Sequence, residues 1–195
     1  MAGKLIIVSG LSGSGKTTLV EHALSVFPNA AKAISCTTRE KRPDELDGVH
    51  YRFFSRKDFN ARKKLGEFAE YKPSVYGNMY GTRKEDIAAV CSIHSPVFLV
   101  VDIQGAETLE KLYPKAPKIF IIAKTEDLTE RLIERNTAEV DINTRITTAI
   151  HEIAKMRKQR FDVIIENNNG GLEAVKKHFS RIIQNILSNL TSTIP

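Results

Sequence analysis

The sequence predicts a single α/β domain with a parallel sheet at its core and an inserted region that is mostly β. Short apolar runs alternate with segments of helical period, which indicates βα units. The runs are nearly continuous, as in strands covered on both faces. Residues 35–83 break this alternation with aromatic, arginine and turn residues and hold only one short predicted helix. The length of 195 residues fits one domain.

The strands and helices of the core are predicted from how the apolar residues are spaced. Four apolar runs are predicted strands: Leu5 to Val8, Val97 to Val101, Ile119 to Ile122 and Val163 to Ile165. Two apolar stripes at helical spacing are predicted to face the core. The first stripe is Ile142, Ile146, Ala149, Ile150 and Ile153, and the second is Leu172, Val175, Phe179, Ile182 and Ile186.

The composition is that of an ordinary soluble protein. It is 42% hydrophobic and 27% charged, and no stretch approaches the about 20 apolar residues that span a bilayer. Strand-like sequence begins by Leu5 and leaves no room for a secretory signal, so we expect a cytoplasmic protein without membrane attachment. Cys36 and Cys91 lack the spacing of a zinc site and are predicted to be reduced thiols.

The net charge of +6 is compatible with phosphate-bearing partners and equally with a solvated surface. The densest basic run, residues 56–64, is predicted to form a helix opened by Ser55, with Phe59 and Leu65 on its apolar side. The sequence contains no recognised nucleic-acid module. A solvated helix face is therefore favoured, and no nucleic-acid partner is expected.

The stretch GLSGSGKTT, residues 10–18, follows the first predicted strand and matches the phosphate-binding pattern GxxxxGK followed by Ser or Thr. Its glycines let backbone N–H groups turn toward one point, which the positive end of the next helix also faces. Lys16 supplies a mobile cation for the β- and γ-phosphates, and the Thr17 hydroxyl reaches the bridging Mg²⁺. The predicted ATP-binding residues here are Gly10, Leu11, Ser12, Gly13, Ser14, Gly15, Lys16, Thr17 and Thr18.

A second anion site is indicated in the stretch SCTTREKRPDELDGVHY, residues 35–51. Arg39 and Arg42 lie three positions apart, and two guanidinium groups held so near would repel unless an anion lies between them. Their forked donors suit a phosphate. A salt bridge with Glu40, Asp44 or Glu45 is an equally open interpretation of these residues taken alone.

Ordered motifs along essentially the whole chain resemble the guanylate kinase family. They are the phosphate loop, SCTTREKR, EFAEY, YGNMYGT, VDIQGA and FDVIIEN. The resemblance implies a P-loop kinase fold, with a central parallel five-stranded sheet flanked by helices, an inserted mixed-β GMP-binding region and a helical lid. The core would be about 1–34, 84–126 and 162–195, the GMP-binding region 35–83 and the lid 127–161. It also implies direct transfer of the ATP γ-phosphoryl group to GMP and to dGMP, with Mg²⁺.

The resemblance assigns two groups of residues to the acceptor. Arg39, Arg42, Tyr51 and Tyr80 would hold the GMP phosphate, Ser35, Glu70 and Thr82 would read the guanine, and Glu45 and Asp102 complete the set. The chemistry agrees: the Glu70 carboxylate can accept from guanine N1–H and the exocyclic amine, and the hydroxyl groups of Ser35 and Thr82 can donate to O6. Adenine has the reverse polarity at these edges.

The resemblance also implies the catalytic set and the rest of the ATP site. Arg135 and Arg145 would be delivered by the lid and act with Lys16, Arg39 and Asp102, while Arg131 and Asn167 would join the ATP-binding residues. Lid closure would exclude water from the transferred phosphoryl group. Val100 stands where relatives usually have an acidic residue, which predicts weaker binding or altered metal dependence.

Two other functions remain as alternatives. A guanylate-kinase-like scaffold module would bind a phosphorylated peptide without catalysis, but such modules have a degraded phosphate loop and this one is intact. A related kinase with a ribosyl bisphosphate acceptor would lack the guanine set of Ser35, Glu70 and Thr82. The sequence favours a kinase that is a monomer or a homodimer.

Overall fold

The chain folds around two sheets. The computed structural model describes residues 4–73, 77–134 and 139–189. In chain order its elements are β1 (Leu5–Gly10), α1 (Lys16–Val26), β2 (Ala31–Lys32), β3 (Cys36–Thr37), β4 (Arg52–Phe53), α2 (Arg56–Lys64), β5 (Phe68–Pro73), β6 (Met79–Arg83), α3 (Lys84–Ile93), β7 (Val97–Val100), α4 (Ile103–Leu112), β8 (Lys118–Ile122), α5 (Thr125–Glu134), α6 (Glu139–Met156), β9 (Val163–Glu166) and α7 (Leu172–Asn189).

The larger sheet has five parallel strands in the order β2-β7-β1-β8-β9. Alternate residues of β1 face opposite layers: Ile6 packs with α1 and α7, and Ile7 packs with α3 and α4. This double covering explains the continuous apolar runs, and the four predicted strands are confirmed. The covering is incomplete at β9, where Ile164 is 49% exposed because this strand lies at the sheet edge.

The two predicted helical stripes are confirmed in their central positions. Phe179 on α7 is fully buried against Phe98 of β7, and Ala149 on α6 is buried in the cluster beside α5. Ile150 is 58% exposed, so its prediction as a core residue is wrong. Leu172, the first residue of α7, is also exposed, so its prediction as a core residue is wrong too. None of the described helices is long and apolar enough to cross a membrane.

The second sheet is mixed, with the order β4-β3-β6-β5, and confirms the inserted mixed-β region of the predicted fold. Ser55 caps α2 as predicted, because its hydroxyl accepts from the backbone N–H of Asp58 at 3.0 Å. Phe59 of α2 is buried and stacks on Phe68 at 4.3 Å between ring centroids. Leu65 is 75% exposed, contrary to the prediction. It lies six residues after Phe59, which is a different face of a helix with 3.6 residues per turn.

Cys36 packs inside the second sheet as a small apolar residue. It is fully buried in a cluster with Phe59 and Phe68, and both Cys36 and Cys91 are free thiols. Burial, and to a lesser extent the nearby Asp86 carboxylate, raises the pKa of the Cys36 thiol to about 12. The thiol therefore stays protonated at neutral pH and is not a reactive nucleophile.

Candidate active site

The phosphate loop leaves the central strand at a position that only glycine can occupy. Gly10 has a φ of 149°, and a Cβ there would overlap the backbone of Ile121 on β8. The N–H of Leu11 donates to the carbonyl of Ile121 at 3.1 Å, and the Leu11 side chain is fully buried. The loop is thus fixed to the carboxyl edge of the sheet, where α/β proteins bind ligands.

The loop turns directly into α1. Gly13 and Gly15 have φ values of 81° and 88°, the N–H of Ser14 donates to the Leu11 carbonyl at 3.1 Å, and α1 begins at Lys16. Among the described residues no side chain caps this helix, and its first turn has no acidic residue. The positive end of α1 is therefore available to an anion.

Lys16 folds back over the loop. Its ammonium donates to the carbonyl oxygens of Gly10 at 2.7 Å and Leu11 at 2.8 Å. Burial lowers the pKa of Lys16 to about 8, although the carboxylates of Glu152 and Asp102 oppose this effect. Two neutral carbonyls hold the ammonium at the mouth of the loop, so a phosphate bound there would give it a stronger partner.

A cavity of about 450 Å³ opens beside the loop. Arg131 on α5 lies along its wall and donates to the carbonyls of Asn167 at 2.7 Å and Gly13 at 3.3 Å. Asn167 follows β9, is buried, and donates from Nδ2 to the Ser14 carbonyl at 2.8 Å. The two predicted ATP residues outside the loop are therefore bonded to it. The lining residues are Gly13, Gly15, Thr18, Glu130, Arg131, Glu134, Asn167, Asn168, Asn169, Gly170 and Leu172.

Gly13 and Gly15 offer a matched test of this packing. Both have positive φ, but a Cβ on Gly13 would find Leu128 at 3.6 Å, whereas a Cβ on Gly15 would overlap the Asn167 amide. We expect Gly13→Ala to lower the free energy of unfolding by about 1–2 kcal/mol through backbone strain alone. Gly15→Ala should lower it by about 1–3 kcal/mol more, because it also breaks the Asn167 to Ser14 bond. Urea unfolding of the two variants measures the difference, and equal losses would contradict it.

The predicted guanine residues converge on the face of the second sheet. Glu70 on β5 lies opposite Thr82 on β6, and the Thr82 hydroxyl donates to Glu70 Oε1 at 2.7 Å. The Ser35 and Thr82 hydroxyl oxygens lie 3.5 Å apart. Glu70 is only 6% exposed, and burial raises its pKa to about 7. The Glu70 carboxyl group therefore gains and loses its proton near neutral pH, where an ordinary glutamate is fully ionised.

The predicted phosphate residues form a second group beside the first. Arg39 donates to Glu45 Oε1 at 2.6 Å, and the backbone N–H of Arg42 donates to Glu45 Oε2 at 2.9 Å. The guanidinium of Arg39 lies 5.6 Å from the ring centre of Tyr51, which packs edge-on against Tyr80 at 6.0 Å. The bond from Arg39 lowers the pKa of Glu45 to about 2.

Glu45 is the anion that pairs with the Arg39 guanidinium. Of the two interpretations left open by the sequence, the salt bridge is present in this structure, with Glu45 as the partner. The Arg42 side chain is exposed and contributes its backbone N–H to that carboxylate. Arg39 is therefore oriented toward the tyrosines before any substrate arrives.

A smaller cavity of about 150 Å³ joins the phosphate loop to these residues. Its lining includes Thr17, on the first turn of α1, together with Ser35, Glu45 and Tyr51. Val100, at the end of β7, also lines this cavity. The remaining lining residues are Glu21, Lys32, Ala33 and His50.

Asp102 lies just beyond β7, at the same edge of the sheet. It is the N-cap of α4, and its Oδ1 accepts from the N–H of Gly105 at 2.9 Å. Its Oδ2 is paired with the ammonium of Lys72 on β5. The carboxylate is thus held between the two sheets.

Comparison with known proteins identifies the family. The family model described as guanylate kinase matches residues 2–186. The chain belongs to the guanylate kinase family. A guanylate kinase of Hahella chejuensis is 39% identical over 180 residues, which cover 91% of this chain and 86% of that protein. A guanylate kinase of Rubrobacter xylanophilus is 33% identical, with 95% of this chain and 96% of that protein covered.

A solved guanylate kinase has the same fold. The crystal structure of guanylate kinase from Anaplasma phagocytophilum superposes with a TM-score of 0.72 at 27% identity, covering 94% of this chain and 86% of that chain. The predicted fold class, a five-stranded parallel sheet flanked by helices with a mixed sheet inserted, is confirmed by this likeness and by the topology.

Guanylate kinases are nucleotide kinases, which generally use Mg²⁺, and the residues present fit such an ion. Thr17 is exposed on the first turn of α1 and lines the cavity that it shares with the acceptor residues. Mg²⁺ prefers oxygen ligands and keeps several water molecules, so one protein oxygen beside bound phosphates is enough. Within the described ranges no group of three or more His, Cys, Asp or Glu residues could hold a metal ion alone.

The lid arginines are described in part. Arg145 on α6 donates to the Ser12 hydroxyl at 3.1 Å, so it already contacts the phosphate loop. Arg135 lies outside the described residues.

Two charged residues near the loop were missed by the sequence argument. Lys72 lies on the same strand as Glu70 and reaches Asp102. Glu152 on α6 is buried near Lys16, and burial raises its pKa. The signal for Lys72 was its spacing of two from Glu70 on a strand, and the signal for Glu152 was its spacing of seven from Arg145, which is two turns of one helix face.

Proposed function

We propose that this guanylate kinase transfers the γ-phosphoryl group of ATP to GMP, and to dGMP, forming ADP and the nucleoside diphosphate. The observation that carries the proposal is the cavity shared by Thr17 of the phosphate loop and by Ser35, Glu45 and Tyr51 of the acceptor group. An acceptor held there would present its phosphate to a nucleotide bound at the loop. The residue roles below belong to the same proposal.

Guanine is recognised by Glu70 and two hydroxyl groups. The ionised Glu70 accepts from the N1–H and the exocyclic amine. Ser35 donates to O6, and Thr82 can donate there only by giving up its bond to Glu70 Oε1. Because Glu70 and Thr82 are buried, a base with the wrong polarity would leave polar atoms unpaired. Sites of this kind reject the wrong ligand by about 10⁴-fold.

The GMP phosphate is held by Arg39, Arg42, Tyr51 and Tyr80. The salt bridge with Glu45 orients Arg39 toward the tyrosines, so its planar guanidinium is prepared for a dianion. Arg42 can swing in because its side chain is exposed. Glu45 therefore acts on the acceptor through Arg39.

ATP is held by the phosphate loop, residues 10–18, with Arg131 and Asn167 beside it. Backbone N–H groups and the positive end of α1 receive the phosphates, and the base enters the larger cavity lined by Asn167 and Arg131. Arg131 fixes the wall of that cavity through the carbonyls of Gly13 and Asn167.

Transfer depends on position and charge. The acceptor is a phosphate oxyanion, so no strong general base is needed and no covalent enzyme intermediate forms. Lys16, Arg39, Arg135 and Arg145 stabilise negative charge around the transferred group, and Asp102 orients the acceptor side. Mg²⁺, held by Thr17 with phosphate oxygens and water, would neutralise phosphate charge when bound.

A coupled assay of ADP formation tests the proposal. GMP, AMP, UMP and CMP are supplied separately with Mg-ATP, and turnover is expected with GMP and at most about 1% as much with the others. No turnover with any acceptor, in folded protein that binds GMP, would favour the phosphopeptide-binding alternative. The cytoplasmic location, the monomeric or homodimeric state and the three-region division of the chain stay predictions.

A further inference from the structure

The sheet face that carries the guanine residues holds another charged side chain, Lys72. It lies two residues after Glu70 on β5, and alternate residues of a strand point to the same face. In the antiparallel register Glu70 lies opposite Thr82, and Lys72 lies opposite Tyr80. Lys72 therefore lies next to the Glu70–Thr82 pair proposed for guanine and directly opposite the tyrosine proposed for the GMP phosphate.

Lys72 connects the two sheets. Its ammonium pairs with Asp102 Oδ2 beyond the end of β7. The other oxygen, Oδ1, accepts from the N–H of Gly105 at 2.9 Å. Asp102 is thus held by a helix on one side and by a lysine of the acceptor sheet on the other.

The carboxylates of Glu70 and Asp102 converge on one point. A Cβ on Gly105 would lie 3.2 Å from Glu70 Oε2 and 3.3 Å from Asp102 Oδ1. Two like charges so close favour protonation of one of them. The pKa of Glu70, raised mainly by burial, is raised further by Asp102 and lowered by Lys72.

The other charges around Asp102 come from α1 and α6. Lys16 and Glu152 interact with each other, with Asp102 and with Lys72. Their charges are opposite, and both residues are present in wild type and in a Lys72 variant alike. Lys72 is the cation bonded directly to the carboxylate beside Glu70.

We propose that Lys72 is a positioning residue for the acceptor: by holding and neutralising Asp102 beside Glu70, it keeps the Glu70 carboxylate able to accept hydrogen bonds from guanine. This inference rests on the proposed function. Lys72 acts through these two carboxylates, so its loss changes GMP recognition in a way that depends on pH.

The test is calorimetric titration of GMP into the full chain without ATP, from pH 5.5 to 9. In Lys72→Met the pH at which GMP affinity falls on acidification is expected to rise by about one unit. Affinity at pH 7 then falls about threefold to tenfold, while affinity at pH 9 stays within about twofold. Lys72→Arg keeps the cation and should restore the wild-type profile.

Two further variants separate this role from a structural one. Lys111→Met removes an exposed lysine of α4 and is the matched control, expected to leave the profile unchanged. In the double variant Lys72→Met with Asp102→Asn, position 102 is also neutral. The pH at which GMP affinity falls on acidification should then return toward the wild-type value. Asparagine still caps α4, so the helix is retained. Thermal melts confirm that each variant is folded.

The outcomes are distinguishable. A wild-type protein that binds no GMP at any pH removes the proposed function and this inference together. If wild type binds GMP and Lys72→Met loses affinity on acidification at the same pH as wild type does, only this inference is overturned. An equal loss of affinity at every pH, or a Lys72→Arg variant that behaves as Lys72→Met does, also overturns it.

Discussion

Replacing Lys16 with methionine is expected to lower the rate of GMP phosphorylation by about a thousandfold or more while GMP binding stays within about threefold of wild type. Methionine keeps the length of the side chain but removes the ammonium that lies over the loop carbonyls of Gly10 and Leu11. In the proposed complex that ammonium binds the ATP phosphates, and removing one such charge costs about 10²–10⁵ in rate. Except for Asp102, the residues proposed for GMP lie on or beside the second sheet, so we expect GMP affinity to be spared.

Two measurements are needed for this variant. Turnover is followed by ADP formation, and GMP binding by calorimetry in the absence of ATP. Lys111→Met, an exposed lysine in a surface pair with Glu107, controls for the loss of one positive charge. Turnover of Lys16→Met within tenfold of wild type would remove Lys16 from the transfer step.

Replacing Glu70 with glutamine is expected to reduce the preference for GMP over AMP from about 10⁴-fold to about 10²-fold or less. The amide presents an N–H donor where guanine also donates, so two donors face each other. The loss should come mainly from GMP turnover at low concentration, measured as kcat/KM for each monophosphate. Unchanged selectivity would remove Glu70 from the guanine site.

The same substitution, although it weakens GMP recognition, should make the folded protein more stable at alkaline pH. The pKa of Glu70 is raised from its ordinary value of 4.5 to about 7 by burial, so between these values the folded state binds more protons than the unfolded state. Stability contributed by the protonated group is present below pH 4.5 and is lost as the pH rises through 7.

Glu70→Gln carries no such penalty, so it should be more stable than wild type at pH 8, by on the order of 3 kcal/mol, and equal to it below pH 4.5. Urea unfolding at both pH values measures this, with the exposed Glu107→Gln as control. A variant that is less stable than wild type at pH 8 would show that the carboxylate is needed for the fold.

The sequence predicts those features of the fold that depend on residues close together in the chain. The continuous run Leu5 to Val8 is a buried strand because both faces are covered, and the glycines of the phosphate loop occupy positive-φ positions. The two-residue strand β2 could not be predicted, since it is too short to show a period. Ile150 was assigned to the core because helical spacing does not show how wide the buried stripe is: Ile146, Ala149 and Ile153 pack into the core, whereas Ile150 is exposed.

The convergence of the acceptor residues depends on long-range pairing. Ser35, Glu70 and Thr82 meet because β5 and β6 pair antiparallel and β3 joins them, and no local pattern in the sequence specifies that register. The resemblance to the guanylate kinase family predicted these three residues as a group, and the structure gives the distances between them. The sequence argument missed Lys72 because a lysine on a short strand is typical of a solvent-exposed sheet edge. Its partner Asp102 also lies 30 positions away in the sequence.

Transfer itself is tested most directly with ATP labelled in the γ-phosphate. The protein is incubated with Mg²⁺, labelled ATP and unlabelled GMP, and the nucleotides and inorganic phosphate are separated. The account predicts that the label appears in GDP, in equal amount with the ADP formed. Label that is released as inorganic phosphate while GMP is unchanged would contradict it, because it would show hydrolysis at the phosphate loop without transfer to the acceptor site.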